Sequence, residues 1–246
     1  MLRNRLLAVK GLALAAALIG LAPEAALAAA GAVTHLSGAV VARRADGQSQ
    51  ILSIKSEVFE GDVVATAENS YARLKLGDGT EVVLRPSTQL KVNTFKFSEQ
   101  RPQEDNVFLS LLKGGFRSVT GLLARRNPAN FRVQAPSATI GIRGTNFGAL
   151  YCQNDCANVP GPGGGAPANG LHVDVADGAI VVSNAAGTQE FKVGQYGFVA
   201  SGATPPVVVP PEQGTKITLP PQAAAAQQQI IGGTVGTSGS LECTIK

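Results

Sequence analysis

The chain has 246 residues, of which 44% are hydrophobic and only 15% charged, with 29 Gly, 14 Pro, three Cys, two His and no Trp. Its formal charge of +4, from 21 Lys and Arg against 17 Asp and Glu, creates no field strong enough to recruit nucleic acid by charge alone. Two histidines and three tyrosines leave few groups for acid–base chemistry, and no phosphate loop or catalytic triad spacing can be assembled.

Arg3, Arg5 and Lys10 precede an apolar run from Gly11 to Ala22; Pro23 then breaks any helix, and Ala26-Leu27-Ala28 has the small-x-small pattern of a signal peptidase site. The run falls short of the ~20 residues that span a bilayer. Residues 1–28 are therefore expected to be a cleaved signal peptide, delivering the rest to the periplasm with no stable membrane insertion afterwards. Cleavage would remove three of the 21 basic and one of the 17 acidic residues, leaving 18 against 16, a nearly neutral chain for which nucleic acid is not an expected partner. Arg43-Arg44 and Arg125-Arg126 are then isolated pairs, expected at solvated strand ends.

From residue 29 to 203 the composition turns to Val, Ile, Leu, Thr and Gly, cut by turn residues at the spacing of many short strands. Tyr71 to Leu76 alternates: Ala72, Leu74 and Leu76 are expected on a buried face, with Tyr71, Arg73 and Lys75 on a wet one. Strands are also expected at 80–84, 89–92, 107–112, 116–119, 131–134, 171–175, 179–183 and 190–193. His35 and His172 are expected to be exposed members of such strands rather than general bases. The segment 74–84 aligns with 173–183, pairing Asp78-Gly79 with Asp177-Gly178, and Asp-Gly between apolar runs is a hairpin signal. The inferred fold is all-β, with many short strands in a module used twice, as stacked halves of a sandwich or successive coils of a short solenoid.

Cys152 and Cys156 bracket Gln153-Asn154-Asp155, a turn-forming sequence, so the spacing suits a short loop closed by one disulfide in an oxidising compartment. Cys243 is left over: free, paired between chains, or displacing one of the others. Two thiols with His35 and His172 distant in sequence fall short of a zinc pattern, and Gly77-Asp78-Gly79-Thr80 is better explained as a hairpin turn than as part of a calcium site. No metal or cofactor is expected. Residues 154–170, with three prolines and Gly163-Gly164-Gly165, form a flexible insertion loop. Residues 204–246, with three Pro-Pro pairs and an Ala/Gln tract, form a disordered low-complexity tail outside the core.

Between Ser137 and Phe147 a strand-like run breaks at Gly141-Ile142-Arg143-Gly144-Thr145. Two glycines three apart in a strand imply a bulge, a bend or a close backbone approach. Arg143 would be aimed by the bend, and its guanidinium is expected to tie down carboxylates or carbonyls within the domain. Gly141, Arg143, Gly144 and Thr145 are thus taken as a structural motif.

With Arg143-Gly144-Thr145, the ordered pieces Val33-x-x-Leu36-x-Gly38-x-Val40, Phe59-x-Gly61-Asp62-Val63-Val64, Leu74-x-Leu76-x-Asp78-Gly79, Leu111-x-x-Gly114 and Phe191-x-Val193-Gly194-Gln195 resemble the FecR family over about residues 32–200. The resemblance implies a periplasmic β domain, best known as the sensor of inner-membrane regulators that relay a receptor signal to a sigma factor. Those regulators carry a cytoplasmic helical segment; only ten residues precede the apolar run here, so a secreted form without that segment is expected. The expected function is non-enzymatic binding or sensing in envelope signalling or assembly, through strand edges or the 154–170 loop, with a receptor or membrane regulator as partner. The alternative from a different class is a cell-wall or glycan-associated structural protein.

Overall fold

The computed structural model describes residues 28–218; the body of the expected signal peptide, the Ala/Gln tract and Cys243 lie outside the described residues. In chain order come β1 (Ala29–Ser37), β2 (Val40–Arg43), β3 (Ser49–Ile51), β4 (Glu57–Phe59), β5 (Val63–Thr66), β6 (Tyr71–Leu76), β7 (Glu81–Leu84) and β8 (Gln89–Lys96). Then follow β9 (Asn106–Val119), the short helix α1 (Leu122–Arg126), β10 (Phe131–Ala135), β11 (Ala138–Cys152), β12 (Gly170–Asn184), β13 (Gly187–Lys192), β14 (Tyr196–Val199) and β15 (Val207–Val209). All the strands join one open mixed sheet, which meets the all-β expectation.

Three long strands organise the sheet, because each changes partner midway. The first half of β9 lies between β8 and a parallel β10, and its second half lies between β7 and β11. Along one edge β11 leaves β10 after Gly141 and joins β9 from Asn146, while β12 follows its other edge. β12 in turn pairs with β14 through its first half and β13 through its second. A single apolar cluster draws on residues from β1 to β14. Phe116 and Phe147 meet edge to face at 5.7 Å within it, and Phe131 and Phe191 are likewise fully buried. Each such side chain contributes about 1.5–3 kcal/mol by leaving water.

Several local expectations change in the folded chain. The spans 107–112 and 116–119 are one strand, as are 171–175 and 179–183, since residues read as breaks are bulges or bends within longer strands. Asp78-Gly79 does turn between β6 and β7, with Thr80 donating from N and Oγ1 to the two Asp78 carboxylate oxygens at 3.0 and 2.8 Å. The matching Asp177-Gly178 sits inside β12, kept in the strand by its pairing with β11. Tyr71 and Arg73, assigned to a wet face, are buried: Tyr71 packs on Val83, and Arg73 lies 3.9 Å from Glu81 of the neighbouring strand. Arg44 is no solvated strand end either, since it pairs with the buried Asp62 and lies over the Phe59 ring.

The boundary drawn at residue 204 also shifts. β15 pairs antiparallel with β14, and beyond it Thr215 and Ile217 are buried. Proline removes the backbone donors that would make this stretch a strand of its own, but one isoleucine and a few carbonyls suffice to strap it onto the domain.

Candidate functional site

The Gly-Ile-Arg-Gly-Thr break is a β-bulge. Pairing of β11 with β12 runs to Arg143↔Ala179 and resumes at Asn146↔Asp177, so Gly144 and Thr145 together oppose Gly178. Gly144 and Gly178 have φ of +54° and +72°, a region where a Cβ is costly. A Cβ on Gly178 would also lie 2.1 Å from the Gly144 carbonyl oxygen. Thr145 locks the bulge: its N–H donates to Thr120 Oγ1 at 2.8 Å and its Oγ1 to the Asp177 carbonyl at 2.6 Å. The Thr120 N–H donates back to the Thr145 carbonyl at 3.0 Å.

Gly141 does different work. Its φ is not in the left-handed region, and a Cβ there would meet only Val181 O, at 3.7 Å, so packing does not require glycine. The registers place Arg132, Gly141, Val181 and Glu190 in one cross-strand row, flanked on one side by the row of Thr139 and Ser183 and on the other by that of Arg143 and Ala179. Residues two apart on a strand share a face, so the bare Gly141 forms a trough on the outer face of β10, β11 and β12. α1 and the following turn at Pro128–Asn130 make its other wall. The resulting groove has a volume of about 890 Å³ and is lined by the side chains of Arg125, Arg132 and Arg143.

Arg143 does face a carboxylate of its own domain, as its position between two glycines implied, but only at the surface. Its side chain is 67% exposed and lies 3.7 Å from a partly exposed Glu190, a solvent-screened pair of little energetic weight. The bulge turns it out into the groove. Arg132 lies over the Phe108 ring, 5.7 Å from its centroid, which orients its guanidinium without neutralising it. The Arg125-Arg126 pair divides: Arg126 binds the buried Asp105 at 2.6 Å and the Ser98 carbonyl at 2.7 Å, whereas Arg125 lines the groove. Arg125 and Arg132 were missed as site residues because each is an ordinary exposed position in its own segment. The one available signal was the buried–exposed alternation of 131–135, which turns Arg132 outward.

A second polar cluster fastens the strap. The Arg117 guanidinium donates to Asp174 Oδ2 at 2.5 Å, Asn146 Oδ1 at 2.9 Å and the Ile217 carbonyl at 3.0 Å, so one side chain joins β9, β11, β12 and the strap. Gly148 permits this approach, since a Cβ there would sit 2.3 Å from Asp174 Oδ1 and 2.6 Å from Ile217 Cβ. Burial pushes the Asp174 carboxyl above its ordinary range, against the pull of Arg117. His172, assigned to an exposed strand face, is buried under the strap. Its Nε2 faces the Ala168 carbonyl at 2.8 Å and its Nδ1 faces Thr215 Oγ1 at 3.3 Å. A carbonyl only accepts, so the ring proton belongs on Nε2. Burial pushes this imidazole below its ordinary range, and His172 serves the strap rather than proton transfer.

Cys152 and Cys156 are joined by a disulfide with Cα atoms 5.5 Å apart. They pack with Leu150 and Ile217 in a small cluster of their own. The loop that follows is tied at its ends, with the Asn154 N–H donating to Asn169 Oδ1 at 2.7 Å and Asn169 Nδ2 donating to Asn154 Oδ1 at 2.8 Å. Replacing Ile217 by alanine should lower the unfolding free energy by about 2–3 kcal/mol, measured by urea denaturation. A loss under about 0.5 kcal/mol would mean that the strap is not docked.

Residues 62–181 match the family described as FecR protein, a range that reaches from the start of β5 to the groove. Two crystal structures of a candidate anti-sigma factor from Parabacteroides distasonis ATCC 8503, at 1.65 and 2.50 Å resolution, are each similar to this chain at 15% identity. Each match covers 68% of this chain and 64% of the other, with a TM-score of 0.46; the chain thus spans under two thirds of that protein. A structure described as a cell surface anchoring domain is similar at 29% identity over 25% of this chain and 82% of its own, with a TM-score of 0.25. No curated protein matches the chain.

Proposed function

This chain belongs to the FecR family, and from that premise we propose that it is an exported, non-enzymatic binding domain acting in envelope signalling or assembly by contact with another envelope protein. The observation that carries this reading is the groove at the β11 bulge. It is wide, open to solvent and lined by arginines, small residues and short hydroxyls, a set suited to holding a partner rather than to moving protons or attacking a bond. The bulge that turns Arg143 outward lies in the segment that resembles the family most specifically, so one local feature links membership and surface. The 154–170 loop contributes Asp155, Cys156, Asn158 and Val159 to a much smaller cavity, of about 150 Å³.

A photo-cross-linking residue in the groove, at Ser183, tests the reading when introduced into the full chain in its own host. The expected result is a discrete adduct with one envelope protein from position 183 and none from the exposed Lys55, with the chain recovered in the periplasmic fraction. A chain retained in the cytoplasm, or equal labelling from both positions, would contradict it.

A further inference from the structure

Resting on that reading, we propose that the groove takes an extended, acidic peptide segment of the partner protein. Charge is the first argument. Three arginines line one concavity whose lining contains no carboxylate, in a chain with 21 basic against 17 acidic residues overall. Among the described residues no carboxylate lies within 4.0 Å of Arg125 or Arg132, and Arg143 has only the exposed Glu190 at 3.7 Å. The basic residues that this fold uses for its own structure are paired instead: Arg44 with Asp62, Arg117 with Asp174 and Arg126 with Asp105. An arginine's fork of donors matches a carboxylate in two-point contact, and the groove's forks are left for a ligand.

Backbone is the second argument, and it selects an extended chain over a compact anion. β11 loses its β10 neighbour after Gly141 and gains β9 only at Asn146. Thr145 is already engaged by Thr120. Ile142 to Gly144 therefore have a strand neighbour on the β12 side only, and on the other side they face α1 and the turn at Pro128–Asn130. An extended peptide can lie along this stretch on the open face of the sheet, its acidic side chains reaching the arginines at the rim. Gly141 completes the argument: a half-buried strand position where a Cβ would fit and β-branched residues are preferred holds glycine, which leaves room for another backbone to approach. Anionic glycan is disfavoured by a lining with no aromatic ring on which a sugar could stack.

The probe is a fluorescent peptide alternating Glu and Val, compared with the same peptide carrying Gln for Glu, and binding to the full chain is followed by anisotropy. The Glu peptide should bind at low salt, weaken as salt rises, and lose about tenfold or more in affinity both with Gln for Glu and with the R125Q/R132Q/R143Q variant. Gly141→Val should unfold at the same or a higher temperature than the parent while losing the peptide to a similar extent, which a merely structural glycine would not do. Equal binding of the Gln peptide, undiminished binding by G141V, or binding of phosphatidylglycerol vesicles in place of the peptide would each overturn the proposal. If the Ser183 cross-link to an envelope protein persists in the triple arginine variant, the acidic-segment inference falls while the protein-binding function stands.

Discussion

Replacing Arg117 with alanine should cost about 3–5 kcal/mol of unfolding free energy, because it strands a buried carboxylate and unties the C-terminal strap together. The side chains of Arg117 and Asp174 are only 12% and 8% exposed, so water cannot take over the lost partner. The effect carries a pH signature. The folded Asp174 value stands above its unfolded value of 3.8, so stability linked to it is fully present below the unfolded value and is lost as pH rises through the folded one. Arg117 holds that folded value down. Without it the loss extends to higher pH, so the deficit of R117A against the parent, which at every pH includes the lost bonds to Asn146 and Ile217, should be smaller near pH 4 and grow towards neutrality. Removing both charges in R117M/D174N should cost less than R117A alone, since no charge is then left buried. Urea denaturation across pH checks both; a deficit independent of pH would mean that the ion pair is not its source.

Gly178→Val is the other large effect, expected at about 4 kcal/mol or outright failure to fold. A branched side chain would have to adopt a left-handed backbone conformation, at about 1–2 kcal/mol, and meet a carbonyl oxygen 2.1 Å from its Cβ. Gly144→Ala is the informative contrast. Its φ is also positive, but nothing lies within 4 Å of an added Cβ, so only the conformational cost remains, about 1 kcal/mol. Thermal unfolding of the two variants separates them. Comparable losses would mean that the two glycines do not oppose each other as the registers place them.

These two sites also show where sequence reading reaches its limit. The β6–β7 hairpin was legible because its cause is local: Asp-Gly between alternating residues favours one turn, and Thr80 closes it. A disulfide between Cys152 and Cys156 was foreseen for the same kind of reason, a short turn-forming spacer. The identical dipeptide at Asp177-Gly178 was misread as a hairpin because what keeps it within a strand is pairing with β11 residues over thirty positions away. Gly141 and Gly144 were legible as a bulge signal but not as different from each other, since crowding is a property of neighbours. Arg143 shows the same limit: a bend was predictable, the direction in which it throws a side chain was not. Arg117, Asp174 and His172 come from β9 and β12, and nothing local marks them as one cluster. The strap was lost to composition, since its prolines read as tail while the burial of Ile217 depends on Leu150 and the disulfide.

The groove gives the bulge a purpose beyond shape. Gly144, Thr145 and Gly178 set the bend, the bend presents Arg143, and Gly141 clears the floor between Arg132 and Val181. A fold in which these were only structural would tolerate filling the groove without consequence. The most direct measurement is amide chemical-shift mapping of the full chain on titration with the acidic Glu/Val peptide. The expected result is perturbation concentrated at residues 141–145, at Arg132 and at 181–183, with β3, β15 and the 154–170 loop unmoved. Shifts confined to the sheet edges or to that loop would place binding elsewhere and contradict the role assigned to the groove.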